Sequence, residues 1–149
     1  MRVLDAVALV LRKKGSHIWS VPSDATVYSA IRMMAEYEVG ALLVMENDRL
    51  LGVVSERDYA RKVILMGRSS RRTAVSKIMG TPLLTISPEC AIDEALRLMT
   101  ANRIRYLPVL RNEKVLGIVS IGDLLTSIIV SDHQGSEDLE QYTEGQYHY

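Results

Sequence analysis

The sequence predicts an α+β fold built from two copies of one strand–helix–strand–strand–helix unit. Three observations indicate this fold: an internal repeat at a fixed spacing, an amphipathic helical stripe in each copy, and β-rich runs that end in a similar phrase. The phrases are GVVSERD at Gly52–Asp58 and GIVSIGD at Gly117–Asp123. Each phrase leads from an apolar strand into a Ser that is followed, three residues later, by an Asp.

The internal repeat is in register and needs no gap. Residues 18–65 align with residues 83–130 at an offset of 65, and 12 of the 48 positions are identical. The identities include the Gly, Ser and Asp of the two phrases, and most other positions keep their apolar or polar character. Duplication of one structural unit explains this pattern better than chance does.

Each copy is expected to begin with a short extended segment, at residues 18–21 and at residues 83–86. A turn that contains Pro follows in both copies. Ser23 and Asp24 are suited to cap the helix of the first copy, and the pair Pro88–Glu89 is suited to open the helix of the second copy.

The helix of each copy is predicted by an apolar stripe at positions i, i+3, i+4 and i+7. The members of the two stripes are Val27, Ala30, Ile31, Met34, Ile92, Ala95, Leu96 and Met99. The runs at 41–55 and 106–120 then predict β-hairpins, with the turn type left open because Asn112 is followed by Glu rather than Gly. A second helix is predicted at residues 56–65 and at residues 121–130.

One unit alone cannot bury both faces of its small sheet, so the economical architecture is a pseudo-twofold pair that shares a core. The predicted organisation is an N-terminal helix at 1–14, repeats at 15–66 and 82–130, a basic linker at 67–81 and a polar tail at 131–149. The linker contains a short amphipathic piece. The acidic, Tyr-rich tail is expected to lie outside the core, disordered or docked on a partner.

Composition excludes several classes of protein. Lys plus Arg is 18 and Asp plus Glu is 18, a balance that argues against a nucleic-acid or membrane partner. The single Cys90 excludes an intramolecular disulfide framework and a Cys₄ zinc site. Since no signal peptide and no apolar run of about 18–20 residues is visible, we expect a cytoplasmic protein. We also expect that it requires no metal.

The repeated Ser-x-x-Asp pattern has a structural interpretation and a functional one. As a capping box, it stabilises the start of a helix by about 1 kcal/mol. As a ligand site, the Asp carboxylate accepts hydrogen bonds from both hydroxyls of a ribose, while the helix start and the Ser hydroxyl offer donors. Capping alone does not require Asp in both copies, because Glu, Gln or Ser would also serve.

The repeated unit, closed in each copy by G-h-h-S-x-x-D, resembles a tandem cystathionine-β-synthase (CBS) domain pair over about residues 15–130. The phrases VGALLV, GVVSERD, YLPVL and GIVSIGD carry the resemblance. It implies two pseudo-twofold-related β-α-β-β-α repeats that pack through their small sheets into one stand-alone Bateman module. In that family the module binds adenine nucleotides in clefts between the repeats, and modules often stack into dimers. The implied role is that of an energy or redox sensor that acts on a partner protein.

The resemblance also implies two sets of site residues, because each cleft of the family joins the Asp of one repeat to the base-holding strand and loop of the other. The first set in this chain is Ser55, Arg57, Asp58, Leu84, Thr85, Ile104, Arg105 and Tyr106. The second set is Ser120, Gly122, Asp123, Trp19, Ser20, Val39, Gly40 and Ala41. Trp19 either stacks on an adenine or is a partly buried core aromatic residue.

AMP is the first ligand that the resemblance implies, and ATP, ADP, NAD and S-adenosylmethionine are the alternatives. NAD ranks second because Arg57 and Arg105 lie beside one predicted cleft. Catalysis is not expected, since the sequence contains no phosphate-binding loop, zinc-protease motif or nucleophile elbow. Cys90 is predicted on the first turn of a helix, where it faces no plausible base.

A ligand-free interaction scaffold is the alternative to a nucleotide-binding module. In that case the Ser-x-x-Asp pairs are helix caps only. The apolar segments at residues 3–11, 59–65 and 124–130 would then serve homodimerisation, which the nucleotide-binding alternative also allows. The sequence names neither a regulated partner protein nor the sign of regulation.

The two predicted sites are unequal in charge. Arg57 and Arg105 flank the first site, and Gly122 and Gly40 stand at the equivalent places of the second. We therefore expect the first site to take the more phosphorylated end of a ligand, or a longer dinucleotide, and to bind with greater sensitivity to salt.

Replacement of Arg57 by Ala is expected to weaken nucleotide binding at the Asp58 site and to reduce its salt dependence, because a phosphate contact is lost. Titration calorimetry at low and at physiological ionic strength measures both quantities. An Arg57→Ala variant with unchanged affinity and unchanged salt dependence would identify Arg57 as a solvated surface charge.

Overall fold

The computed structural model of the 149-residue chain describes residues 5–15, 17–80 and 83–131. Its helices and strands are α1 Val7–Lys14, β1 Ser20–Val21, α2 Val27–Tyr37, β2 Ala41–Glu46, β3 Arg49–Ser55, α3 Glu56–Tyr59, α4 Ile92–Asn102, β4 Tyr106–Arg111, β5 Lys114–Ser120 and α5 Ile121–Ser131. A π-helix at Ala60–Ile64 continues α3, and a 3₁₀ turn at Val75–Lys77 lies in the linker. The predicted α+β fold class is confirmed. The predicted tail from residue 132 onward lies outside the described residues.

Each copy of the unit has its own small sheet. The first sheet has the order β1–β2–β3, with β1 parallel to β2 and β3 antiparallel to it. In the second copy β4 pairs with β5, and a single parallel bridge from Ile86 to Val109 stands in the place of β1. The N–H of Ile86 donates to Pro108 at 3.0 Å, and its carbonyl accepts from Leu110 at 2.9 Å. The extended segment predicted at 83–86 is therefore a one-residue bridge and not a strand.

Both hairpins turn through two residues in the left-handed region. The φ angles are 50° at Asn47 and 64° at Asp48, and they are 49° at Asn112 and 67° at Glu113. A two-residue loop with two positive φ angles is what a type I′ turn requires, and the twist of such a turn matches that of its strands. The turn that the sequence left open is the same in both copies, although neither copy has Gly there.

The long helices α2 and α4 bury the predicted apolar stripes against their own sheets. The most buried positions, each at most 2% exposed, are Val27, Ala30 and Met34 in α2 and Ile92, Ala95 and Met99 in α4. Ile31 and Leu96 are partly buried and pack against the same two cores. The helical spacing read from the sequence therefore gives the correct buried face in both copies.

The predicted cap of α2 is wrong. Thr26, and neither Ser23 nor Asp24, caps this helix, because its side-chain oxygen accepts from the N–H of Ser29 at 3.1 Å. Ser23 donates instead to the carboxylate of Glu46 on the neighbouring strand. The helix therefore starts later than the sequence predicts.

The predicted start of α4 is also wrong, because this helix begins at Ile92 and not at Pro88. The carbonyl oxygens of Pro88 and Cys90 accept hydrogen bonds from the N–H groups of Ala8 and Val7, each at 2.9 Å. A tertiary contact with α1 therefore occupies the residues that would have formed the first turn of the helix.

The N-terminal helix α1 packs on the second repeat, although it precedes the first. Val7 and Val10 lie in the core cluster of the second repeat and are 0% and 4% exposed. An antiparallel bridge from Ala6 to Ala91 joins the start of α1 to the start of α4. This helix is therefore part of the core and not an appendage.

The linker packs on the first repeat in the equivalent way. Val75 and Ile78 are fully buried in the core of that repeat. An antiparallel bridge from Thr26 to Ala74 joins the linker to the start of α2. Each repeat is thus completed by a segment that precedes the other repeat.

Glycine in β3 and β5 permits the close approach of these two segments. A Cβ atom at Gly52 would lie 2.8 Å from Sδ of Met79 in the linker. At Gly117 it would lie 2.9 Å from Cδ2 of Leu11 in α1. The Gly shared by the two repeated phrases therefore marks where the preceding segment crosses the strand.

The two sheets pack against each other through a third apolar cluster. Leu43, Leu50 and Val115 are buried there, and Val53 and Ile118 pack against them. Because these residues come from both hairpins, the packing of the repeats through their small sheets is confirmed. Within the described ranges, no helix is long and apolar enough to cross a membrane.

The second helices of the two copies differ in geometry. In the first copy α3 gives way to the π-helix at Ala60–Ile64, whereas α5 is α-helical from Ile121 to Ser131. The predicted extents, 56–65 and 121–130, are close to those observed. The π-turn itself has no signature in the apolar pattern, and such turns are frequent at functional sites.

Val7→Ala and Val75→Ala are each expected to lower the free energy of unfolding by about 2 kcal/mol, because each removes buried methyl groups from one of the two cores. Urea titration followed by circular dichroism measures the change. Arg12→Ala, on the exposed side of α1, is the control and should leave stability unchanged. A Val7→Ala protein that is as stable as the control would show that α1 does not pack on the second repeat in solution.

Candidate functional site

The Ser-x-x-Asp pair of the first repeat forms a complete capping box. The N–H of Asp58 donates to Oγ of Ser55 at 3.2 Å, and the N–H of Ser55 donates to Oδ2 of Asp58 at 2.9 Å. The Ser55 hydroxyl also lies 3.0 Å from the same carboxylate oxygen. The local geometry of the motif is therefore that of a capping box, as the structural interpretation requires.

The second repeat has the same arrangement at the start of α5. The N–H of Asp123 donates to Oγ of Ser120 at 3.0 Å, and the N–H of Ser120 donates to Oδ2 of Asp123 at 2.9 Å. In both copies the box uses one carboxylate oxygen, Oδ2. The box therefore leaves the second oxygen of each Asp for another partner.

A lysine pairs with the Asp of each box. Nζ of Lys62 lies 3.0 Å from Oδ1 of Asp58 and donates to the carbonyl of Ile78 at 2.8 Å. In the second copy, Lys14 of α1 lies 2.6 Å from Oδ2 of Asp123 and also donates to a backbone carbonyl. Lys62 comes from the same repeat as its Asp, whereas Lys14 comes from the segment that precedes the other repeat.

A cleft of about 640 Å³ opens beside Asp58, and we call it the Asp58 cleft. The first repeat and the loop between α4 and β4 of the second repeat both line it. The predicted residues that it brings together are Ser55, Arg57, Asp58, Ile104, Arg105 and Tyr106. The structure thus joins the motif of one repeat to the loop of the other, as the first predicted set requires.

The other two members of the first predicted set do not belong to this lining. Leu84 packs against the core of the second repeat, and Thr85 is exposed. Both precede the bridge at Ile86, where the pairing with β4 holds the chain on the sheet. The prediction for Leu84 and Thr85 is therefore not supported by the geometry.

A second cleft, of about 440 Å³, opens beside Asp123, and we call it the Asp123 cleft. Three predicted residues, Ser120, Gly122 and Asp123, line it. The facing wall is α1, through Val10, Lys13 and Lys14. The sequence had assigned that wall to the first repeat.

The remaining members of the second predicted set lie elsewhere. Gly40 lines the Asp58 cleft, because the N–H of Glu56 donates to the Gly40 carbonyl at 3.0 Å and ties this loop to its own repeat. Val39 packs on the core of the first repeat, and Ala41 is 5% exposed in β2. Ser20 lines a separate cleft between the tips of the two hairpins.

Trp19 belongs to an aromatic stack. Its ring lies 3.7 Å from the ring of Tyr37, with 12° between the planes, and 5.5 Å from the ring of His17. Trp19 also packs against the core of the first repeat. Of the two interpretations of this residue, the partly buried core aromatic fits the structure.

Tyr106 fills the space above Gly40 at the boundary between the repeats. A Cβ atom at Gly40 would overlap the Tyr106 hydroxyl oxygen and would lie 3.9 Å from a carboxylate oxygen of Glu56. Burial raises the pKa of the Tyr106 phenol, and the negative charges of Glu56 and Asp123 raise it further while Arg105 lowers it. The Tyr106 phenol is therefore uncharged at neutral pH, and charged residues beside both clefts influence its pKa.

Three cationic residues of the Asp58 cleft were missed by the sequence analysis: Arg61, Lys62 and Arg103. The signal was present in the repeat, because their counterparts at the offset of 65 are Thr126, Ser127 and Glu38. No pattern in the sequence indicated that Lys13 and Lys14 line the Asp123 cleft, because only the docking of α1 brings them there.

Among the described residues, no group of three or more His, Cys, Asp or Glu residues could hold a metal ion. Burial raises the pKa of the Cys90 thiol, and Glu94 and Asp93 raise it further. A thiol of this kind is a weak nucleophile at neutral pH.

Comparison with known proteins identifies relatives of this chain. The family model described as the CBS domain matches residues 3–64 and 75–130. A CBS domain-containing mitochondrial protein of Arabidopsis thaliana, CBSX3, is 41% identical over 138 residues, which cover 89% of this chain and 66% of the relative. The protein YhcV of Bacillus subtilis, also a CBS domain-containing protein, is 31% identical over 121 residues, or 81% of this chain and 86% of YhcV. The chain thus spans 66% of the length of the Arabidopsis protein.

Solved structures share the fold. A CBS-domain protein from Burkholderia ambifaria superposes with a TM-score of 0.82 at 44% identity, over 89% of this chain and 98% of its own. A hexameric CBS-CP12 protein from cyanobacteria has a TM-score of 0.75 at 27% identity, over 95% of this chain and 85% of its own. The CBS domain pair of protein MJ0100, solved with 5′-methylthioadenosine and S-adenosyl-L-methionine, has a TM-score of 0.76 at 18% identity, over 87% and 99% of the two chains.

Gly40→Ala is expected to lower the free energy of unfolding by about 1–3 kcal/mol, because its methyl group would overlap the Tyr106 hydroxyl. Gly122→Ala is the matched control, since the nearest atom to its Cβ, Oγ of Ser120, lies at an ordinary 3.7 Å. Urea titration measures both variants.

Tyr106→Phe and the double variant Gly40→Ala/Tyr106→Phe complete a mutant cycle. The double variant should recover most of the stability lost in Gly40→Ala, because the overlapping oxygen is gone. Strictly additive effects in this cycle would contradict the placement of Tyr106 over Gly40.

Proposed function

Since this chain belongs to the CBS-domain family, we propose that it is a regulatory module that binds an adenine nucleotide and transmits the ligand state to a partner protein. The observation that carries the proposal is the Asp58 cleft, which joins the Ser-x-x-Asp motif of one repeat to the loop before β4 of the other. A ligand in that cleft contacts both repeats. Its binding free energy therefore depends on how the repeats pack.

The proposed role of Asp58 is to accept the hydroxyl groups of a ribose. Its side chain is 17% exposed and lines the cleft, and the capping box engages only Oδ2. A ribose hydroxyl would take the place of Lys62 at Oδ1, and the ammonium group would then be available to a phosphate. The functional interpretation of the motif is thus compatible with the cap.

The proposed base contacts are the apolar parts of Val53, Ile104 and Tyr106, together with the backbone groups of the loop before β4. Arg57 and Arg105 are the proposed phosphate contacts, since a guanidinium binds phosphate in a fork geometry. The MJ0100 structure supports a ligand that contains adenosine, because it has the same fold and holds two such molecules.

AMP remains the first proposed ligand, and ATP, ADP, NAD and S-adenosylmethionine remain the alternatives. The Asp123 cleft, through Ser120, Gly122 and Asp123, is the proposed second site. We further propose that no metal is required, that the protein does not catalyse a reaction, and that it acts in the cytoplasm, although its Arabidopsis relative is described as mitochondrial.

A ligand-free dimeric scaffold is the second candidate. Two observations favour it: both capping boxes are complete without a ligand, and Ile64, Leu65 and Met66 are 58%, 76% and 64% exposed at the end of the π-helix. A contiguous apolar patch of this kind suits contact with a second copy of the chain. Self-association also fits the hexameric CBS-CP12 relative, and a homodimer is compatible with either candidate function.

The deciding experiment is calorimetric titration of nucleotide-stripped protein with AMP, ATP and NAD, repeated on Asp58→Asn and Asp123→Asn. Asn preserves the size of the side chain and one acceptor oxygen for the cap, but it removes the charge and the second acceptor. We expect each variant to lose one binding event while it stays folded. Copurified nucleotide, seen as absorbance near 260 nm before stripping, would be consistent with this outcome.

Thr26→Ala is the matched control for the loss of a cap. It removes the cap of α2 and should cost about 1 kcal/mol of stability without any effect on nucleotide binding, because Thr26 lines neither cleft. If wild-type protein binds none of the nucleotides and the Asp variants only lose stability, as Thr26→Ala does, the motifs are caps and the scaffold is the correct function.

A further inference from the structure

We propose that the Asp58 cleft is the polyphosphate site of this protein and that the Asp123 cleft takes a ligand of lower negative charge. This inference rests on the proposed function and refines it, because it ranks ATP above AMP at the Asp58 cleft and keeps AMP as the first ligand of the Asp123 cleft. The two clefts are built on copies of one unit, yet their charges have diverged in one direction.

The divergence is visible at every cationic position of the Asp58 cleft. Five cationic side chains line it: Arg57, Arg61, Lys62, Arg103 and Arg105. At the offset of 65, their counterparts in the other copy are Gly122, Thr126, Ser127, Glu38 and Gly40. None of these counterparts is positively charged, and one is acidic. The fold does not require this bias, because the positions of Arg57, Arg103 and Arg105 carry Gly or Glu in the other copy.

The described residues neutralise only part of the positive charge of the Asp58 cleft. Its acidic lining residues are Glu56 and Asp58. In the part of the chain that the structure describes, Lys62 is the only one of the five cations in an ion pair. The four arginines form no ion pair with the described residues, so they leave an excess of positive charge in a concave site. A multiply charged anion is the ligand that such a site favours.

The cations also converge from different parts of the chain. Arg57 lies in α3, Arg61 and Lys62 lie in the π-helix that follows it, and Arg103 and Arg105 lie in the loop before β4 of the other repeat. The π-helix has no equivalent in the second copy, where α5 is regular. The geometric difference between the copies therefore coincides with two of the extra charges.

The Asp123 cleft has less positive charge to offer an anion. Its cationic lining residues are Lys13 and Lys14 of α1. Lys14 is already engaged by the Asp123 carboxylate at 2.6 Å and by the carbonyl of Ile118 at 3.0 Å. A nucleoside or a nucleoside monophosphate suits this cleft better than a triphosphate.

The test uses a substitution that the second copy itself supplies. Arg103 ends α4 with a φ of 54°, and Glu38 ends α2 with the same φ of 54°. Arg103→Glu therefore places in the cleft a residue that already adopts this backbone conformation in the same chain. Arg61→Thr, which copies position 126, is the second variant and keeps the test decisive if the first fails to fold.

Both variants are made in an Asp123→Asn background, so that the titration measures nucleotide binding at the Asp58 cleft alone. Calorimetric titration with AMP and with metal-free ATP is run at low and at physiological ionic strength. Arg32→Glu, on the exposed face of α2 and in the lining of neither cleft, controls for the change in net charge.

We expect ATP to bind the background protein more tightly than AMP, and with a steeper dependence on salt. Arg103→Glu should weaken ATP binding about tenfold or more, since a charge-assisted hydrogen bond is lost, with a smaller change for AMP. Arg61→Thr should act in the same direction, and Arg32→Glu should have no effect on either ligand.

Equal affinities for AMP and ATP, or equal effects of Arg103→Glu on both, would overturn the inference while the proposed nucleotide-binding function stands. A wild-type protein that binds neither nucleotide would overturn both. In the reciprocal Asp58→Asn background, a preference for ATP over AMP at the Asp123 cleft would also contradict the division of the two clefts.

Discussion

The central physical constraint of this structure is that neither repeat can bury both faces of its small sheet by itself. One face of each sheet is covered by the helices of its own repeat together with the linker or α1, and the other face is buried against the second sheet through Leu43, Leu50 and Val115. That contact fixes the relative position of the repeats. The Asp58 cleft exists only because of it, since its motif comes from one repeat and its facing loop, with Ile104, comes from the other. A site shared in this way is coupled by construction to the packing of the repeats.

The sequence predicted the elements whose pattern is local and repeated. The apolar stripes, the hairpins and the second helices follow from periods of 3.6 and 2 residues, and duplication made each assignment twice. What it missed depends on tertiary contacts. The start of α4 shifted because α1 takes the carbonyls of Pro88 and Cys90, and the cap of α2 moved to Thr26 while Ser23 found Glu46. Such competition between partners is not encoded within a window of a few residues.

The predictions for the candidate site also separate into those that depend on local position in the repeat and those that depend on tertiary contacts. The resemblance predicted six residues that meet in the Asp58 cleft, because both the motif and the loop keep their position within the repeat. The wall of the Asp123 cleft is formed by the docked α1, which brings Lys13 and Lys14 there. Trp19, the most visible aromatic residue of the sequence, stacks on Tyr37 in the structure. A side chain that already packs against residues of its own repeat does not by itself indicate a site between the repeats.

The capping boxes explain why the charge difference between the clefts carries functional information. Ser55, Asp58 and their counterparts hold helix starts in place, so folding favours a residue that can cap at these positions whether or not a ligand binds. The positions of Arg57 and Arg103 have no such duty, because Gly122 and Glu38 occupy the same places in the other copy. At positions that folding does not constrain, the residue type depends only on contact with solvent or with a ligand. Four arginines converge from both repeats on one concave site, and this concentration of positive charge supports the proposed anionic ligand.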